Sequence, residues 1–184
     1  MEAFCTVLHD ETGKVIGLHY PKEFKTTQTF FELLQFLDLK APYFSRYELI
    51  LAVPISFEVA CLLSYETNIS KIIDTYPFLK LVINEDFPNL INGRKNRLLD
   101  ALCNRYDVWL GNLASGTRTN MVGVLERCFE GLILDTKFTE ENSGKAIFPV
   151  LVKEVSKYTN RVLIPGVSSG RYQQVRLRHV EHLI

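Results

Sequence analysis

The sequence predicts an α/β fold with a mainly parallel sheet that opens on an antiparallel hairpin. Three observations carry this. Six short Val/Ile/Leu-rich runs recur along the chain: VIGLHY, LILAVPI, LKLVIN, VWLGN, GLILD and RVLIPG. Their length and composition suit strands buried on both faces. Helix-like stretches lie between them, namely QTFFELLQFL, SFEVACLLSYE, RLLDALCNRY and MVGVLERCFE; such alternation is the signature of parallel strands joined by helices. Finally, ETGK separates FCTVLHD from VIGLHY as a turn, which makes the first two strands a hairpin.

In chain order, the hairpin spans FCTVLHDETGKVIGLHY. A helix over QTFFELLQFL leads to the strand LILAVPI, and SFEVACLLSYE leads to LKLVIN. FPNLINGRKNR holds Pro88 and Gly93 with three basic residues and reads as a surface loop or a short helix start. Arg94, Lys95 and Arg97 read as a solvated face rather than a phosphate site. RLLDALCNRY then precedes VWLGN. LASGTRTN reads as a tight turn with an N-capped helix start in preference to an anion nest. MVGVLERCFE precedes GLILD, and RVLIPG is the last apolar run. The segment RYQQVRLRHVEHLI predicts a terminal amphipathic helix rather than a nucleic-acid arm.

The chain has 184 residues, 47% hydrophobic and 23% charged, with a formal net charge of zero. That is one domain's worth of core, assigned to residues 1–184 without a linker. Zero net charge argues against nucleic acid as the main partner, because phosphate binding needs a basic excess. The four cysteines, Cys5, Cys61, Cys103 and Cys128, form no C-x-x-C pair and read as reduced thiols of a cytoplasmic protein. No His/Cys spacing suggests zinc. The N-terminal MEAFCTVLHDETG is not a secretory signal, and no apolar run reaches the ~20 residues of a membrane span.

The corners that follow the apolar runs are the places where α/β barrels put their chemistry. In order, LVINEDFP, WLGNLASG, GLILDTKF and VLIPGVSS resemble the corners of EAL domains, a family of (β/α)₈-barrel phosphodiesterases that hydrolyse cyclic di-GMP with a pair of metal ions. The resemblance implies a TIM-barrel-like EAL fold, incomplete or trimmed: such barrels take about 250 residues, and after PGVSSGRY too little chain follows for a full eighth strand and its helix.

Carried over residue by residue, the resemblance places His19 where the E-A-L glutamate would stand and Pro54 at the N-L-S asparagine. E-x-T-E falls on VINE, so Val82 replaces the first acid and Glu85 keeps the last. D-D-F-G-T-G falls on GNLASG, with Gly111 and Asn112 in place of the aspartate pair. K-x-D falls on ILD, with Ile133 for the lysine and Asp135 retained. E-G-V-E falls on PGVS, with Pro165 and Ser168 for both acids. Two-metal chemistry needs several carboxylates to hold its ions, and Mg²⁺ takes about six oxygens. The implied outcome is a vestigial site: no metal, no cofactor, no cyclic di-GMP and no catalysis. A hydrogen-bonded histidine at a strand end is the plain reading of His19, and Glu85 and Asp135 read as structural acids.

Within that family the corners are most similar to those of a small, non-enzymatic branch in enteric bacteria. These proteins bind FlhD, a subunit of the FlhD–FlhC flagellar master regulator, and keep it off DNA. The resemblance implies the same role here, with FlhD as partner and with no direct contact to nucleic acid or membrane. Two alternatives stay open: a cyclic di-GMP-sensing or weakly hydrolytic module, and an anti-regulator of a different transcription factor.

Overall fold

All six apolar runs form strands. The computed structural model describes residues 4–9, 12, 14–116, 121–165 and 174–176, and these divide into two compact units. The first runs to Leu81 and takes in the C-terminal strand; the second begins at Val82.

In the first unit, β1 (Phe4–His9) and β2 (Val15–His19) pair antiparallel with Val7 opposite Leu18 and Thr6 opposite His19. The expected hairpin is present, although Glu11 and Gly13 of its ETGK turn lie outside the described residues. β3 (Ile50–Pro54) adds to β2 in parallel, Gly17 facing Ile50 and His19 facing Ala52. That pairing demands a glycine: a Cβ on Gly17 would lie 2.2 Å from the Ile50 carbonyl oxygen.

The crossover from β2 to β3 is α1 (Thr27–Arg46), longer than the predicted stretch. It starts where the Thr26 hydroxyl accepts a bond from the Thr29 amide at 3.3 Å. Phe30, Leu33, Leu34, Leu37 and Phe44 form its buried face, at the three- and four-residue spacing of one helical side. Phe44 stacks on Phe78 at 4.8 Å between centroids, and the Tyr76 hydroxyl donates to Asp38. α2 (Phe57–Tyr65) is capped by Ser56, whose hydroxyl accepts from the Val59 amide and donates to the Lys25 carbonyl. α3 (Thr67–Ile73) follows and leads to β4 (Leu79–Asn84).

The far side of β1 carries β8 (Gln174–Arg176), antiparallel, with Cys5 opposite Val175. This corrects one expectation: part of the segment expected as an amphipathic helix is a strand, whose three residues fall short of the full eighth strand and helix that the chain reads as too short to form. The backbone hydrogen bonds left open along β1 outweigh the helical spacing of Val175 and its apolar neighbours; the rest of RYQQVRLRHVEHLI lies outside the described residues.

In the second unit the strand order is β7-β6-β5-β4. β5 (Val108–Leu113), β6 (Gly131–Leu134) and β7 (Arg161–Leu163) run parallel. Trp109 is buried opposite Gly131, where a Cβ would come within 2.5 Å of the indole. FPNLINGRKNR becomes a 3-10 helix, Leu90–Lys95, followed by α4 (Arg97–Arg105) with Asn96 as its cap. Arg94, Lys95 and Arg97 are exposed, as the solvated face requires, and Arg94 also donates to Asp100, to Asn104 and to the carbonyls of Glu126 and Arg127. α5 (Met121–Leu125) is half the length that MVGVLERCFE suggests. The chain leaves the helix because Arg127 takes φ 56°, and the Glu126 carboxylate is drawn instead to the Arg94 amide at 2.7 Å. α6 (Thr136–Asn142) and α7 (Ile147–Val155) complete the unit.

Candidate functional site

Most of the positions singled out in the sequence fall at or just beyond the C-terminal ends of strands. Of the nine that lie among the described residues, seven belong to the second unit. Val82 and Asn84 end β4, and Glu85 follows directly. Gly111 and Asn112 lie near the end of β5, where its pairing register with β6 shifts between Leu110 and Leu113. Such an irregularity re-aims the residues it contains. Gly111 is buried and Asn112 points outward with φ 54°. The Asn112 amide donates to the Asn84 side-chain oxygen at 3.3 Å. A Cβ on Gly111 would come within 2.6 Å of that same oxygen and 2.9 Å of Val82 Cγ1.

Glu85 is 7% exposed. Its Oε2 accepts from the amide of Ser115 at 3.1 Å and from the Ser115 hydroxyl at 2.8 Å, while Oε1 has no hydrogen-bond partner among the described residues. This clamp holds the turn after β5, in which Ala114 takes φ 71°, a left-handed conformation that a non-glycine residue adopts only at a cost. Asp135 is the N-cap of α6: its Oδ1 accepts from the Phe138 amide at 2.8 Å, and its own amide donates to the Leu113 carbonyl at 2.9 Å. Both retained acids therefore serve the backbone. Ile133 and Val82 are buried apolar side chains. Pro165 follows β7, half-buried, and Ser168 lies outside the described residues.

In the first unit, Pro54 ends β3, buried, and its carbonyl accepts from the Phe24 amide at 2.8 Å. His19 ends β2, half-buried between Thr6 and Ala52 in register. Loss of hydration around the imidazole pushes its pKa down from 6.5 to about 4. A histidine whose folded pKa is depressed stays neutral in both states above pH 6.5 and costs stability as the unfolded chain takes up its proton. Stability is therefore expected to fall between pH 6.5 and 4, and His19→Gln should remove on the order of 1–2 kcal/mol of that fall, given the partial exposure. Urea midpoints of both proteins at pH 7 and pH 4.5 check this. Parallel pH dependences would show that His19 is not the group responsible.

These residues do not fit a metal pair. Pro54, Val82, Gly111, Ile133 and Pro165 offer no side-chain atom that could hold a metal, and the two remaining carboxylates are committed to Ser115 and to a helix start. Among the described residues, no three His, Cys, Asp or Glu side chains gather closely enough to hold an ion. Asn84 and Ser115 are the participants that sequence reasoning missed. Both stand inside the motifs it used, Asn84 in VINE and Ser115 in LASG, at positions where the resembled family carries threonine; a small polar residue kept at an otherwise altered corner was the available signal.

No protein-family model matches the chain. YdiV of Escherichia coli (strain K12) is 30% identical over 147 residues, covering 78% of this chain and 62% of that protein. The anti-FlhC(2)FlhD(4) factor YdiV of Salmonella arizonae is 24% identical over 144 residues, 76% of this chain and 60% of that one. The chain thus spans about three fifths of the length of the curated relatives it matches. The crystal structure of the EAL-like domain protein YdiV superposes with a TM-score of 0.87 at 21% identity, over 100% of this chain and 96% of that one. The fold is accordingly EAL-like, as the order of corners implied.

Proposed function

We propose that this chain, a homologue of the YdiV anti-factors with an EAL-like fold, is a non-enzymatic anti-activator of flagellar transcription. It binds FlhD and prevents the FlhD–FlhC complex from holding its promoter DNA. The observation that carries this reading is the replacement of carboxylates by Val82 and Gly111 and of the lysine by Ile133, together with the diversion of Glu85 and Asp135 to backbone duty. A phosphodiesterase has nothing to hold its ions there, while a scaffold acting through its surface loses nothing. The ten positions are then remnants of an ancestral site, and cyclic di-GMP is neither cleaved nor bound.

Zero net charge fits a protein partner better than DNA. Binding should bury roughly 1,200–2,000 Å² with an apolar centre, and should depend weakly on salt. Isothermal titration against purified FlhD is the decisive experiment, with release of the FlhD–FlhC complex from promoter DNA as its functional counterpart. Heat and co-elution are expected. Their absence at tens of micromolar would retire the flagellar reading, and linear pGpG formed with Mg²⁺ or Mn²⁺ above a boiled control would restore the enzymatic one.

A further inference from the structure

One part of the second unit sets aliphatic side chains in water and ties down the backbone beneath them. Ile91 is 63% exposed, Leu125 52% and Val122 38%. Val122 and Leu125 lie one turn apart on α5. Ile91 stands in the 3-10 helix Leu90–Lys95, two residues before Gly93, and a Cβ on Gly93 would lie 2.9 Å from Val122 Cγ1. The two elements pack directly on each other, so the three side chains belong to one patch. Arg94 locks the pair together. Its amide donates to Glu126 Oε2 at 2.7 Å, and its guanidinium donates to the Glu126 and Arg127 carbonyls at 3.2 and 3.3 Å and to Asp100 at 2.8 Å.

This network has two effects. The patch is pre-organised, so little ordering entropy is lost when another surface covers it. The network also spends Asp100 and Glu126 internally. Lys95 and Arg97, both exposed, form no ion pair among the described residues, and they leave the rim of the patch basic. We propose that Ile91, Val122 and Leu125 form a docking surface for a protein partner whose own contact surface is apolar at its centre and acidic at its rim. On the anti-activator reading, on which this rests, that partner is FlhD.

The charge pattern selects this occupant over two others. Duplex DNA would satisfy Lys95 and Arg97 but leave three aliphatic side chains facing phosphate and water. A second copy of the chain would meet the patch with itself, since a two-fold contact sets the same surface on both sides. That arrangement brings Lys95 and Arg97 against their own kind, which is unfavourable. An acid-rimmed protein surface removes both conflicts: the aliphatic side chains leave water, and each cation gains a counter-charge. Charges at a rim contribute more to encounter rate and selectivity than to affinity, so the weak salt dependence expected of the complex is unchanged.

The test is titration of purified FlhD with the wild-type protein and with surface variants, each shown to be folded by its urea midpoint. Ile91→Ser with Leu125→Ser is expected to weaken binding by roughly tenfold or more. Ile147→Ser with Val150→Ser, at equally exposed apolar positions of α7, should leave the affinity within about twofold. Lys95→Glu with Arg97→Glu should slow association severalfold at low salt. In the wild-type complex, with no substitution, a carbodiimide that joins an amine directly to a carboxylate should link Lys95 to an Asp or Glu of FlhD. The proposal is overturned if FlhD binds the wild type and the Ile91/Leu125 variant alike, or if the α7 pair is the one that weakens binding. Stronger binding after the charge reversal, or cross-links that form only away from Lys95, also overturn it. All of these outcomes leave the anti-activator reading standing. Failure of the wild type to bind FlhD retires that reading, and the docking surface with it.

Discussion

Gly17→Ala is expected to destabilise the protein by at least about 3 kcal/mol, enough to leave much of the first unit unfolded at 37 °C. The new Cβ would lie 2.2 Å from the Ile50 carbonyl oxygen, 2.5 Å from Ile50 Cγ1 and 2.8 Å from the Ile50 amide nitrogen. Two of those three atoms are backbone and belong to the strand paired with Gly17 in register. No side-chain rotamer relieves that contact; β2 and β3 must move apart and give up ladder hydrogen bonds. Chemical denaturation of the variant gives the result directly. A midpoint within 1 M urea of the wild type, at a slope of roughly 1–3 kcal/mol/M, would mean that the two strands can separate cheaply.

The second large effect concerns restoration of the aspartate pair. Gly111→Asp with Asn112→Asp is expected to produce no cyclic di-GMP turnover and to destabilise by about 3–5 kcal/mol. At Gly111 the first added carbon already meets the Asn84 side-chain oxygen at 2.6 Å and Val82 Cγ1 at 2.9 Å, and the carboxylate beyond it enters a buried position. Losing the Asn112 amide also removes its bond to Asn84 and sets a carboxylate against that oxygen. Even a folded double variant still meets Val82 where a ligand would be required and Ile133 where the lysine would stand. Urea midpoints and a nucleotide-product assay report on both halves. Turnover in the double variant would show that the corners had been aligned in the wrong register.

The strands were legible because each is a short apolar run closed by a small or polar residue, and burial on both faces leaves little choice of side chain. The EAL-like fold was legible because four corners, LVINEDFP, WLGNLASG, GLILDTKF and VLIPGVSS, keep their order. Two kinds of feature escaped. One depends on atoms brought together from distant segments: the Ser115 clamp on Glu85 joins positions 30 residues apart, and Arg94 reaches carbonyls on another segment. No local pattern encodes such partners. The other depends on competition between local preference and an available edge. The helical spacing of MVGVLERCFE yields at Arg127, where Glu126 is recruited by Arg94. Part of the C-terminal segment pairs with β1 because β1 has unsatisfied backbone groups to offer.

The position of β1 between β2 and β8 has a temporal consequence. Phe4 to Thr6 leave the ribosome long before their partners Gln174 to Arg176. At roughly 5–20 residues per second, the first strand waits on the order of ten to thirty seconds for its second neighbour. Throughout that interval the nascent chain carries one half-dressed strand, while the second unit, whose sequence is contiguous, can already fold. Ribosome stalling or proteolysis before residue 174 should release a chain with its later half ordered and its beginning unfinished, a species suited to capture by chaperones and proteases. The supply of working protein is thereby coupled to translation past residue 176 through three residues of backbone pairing.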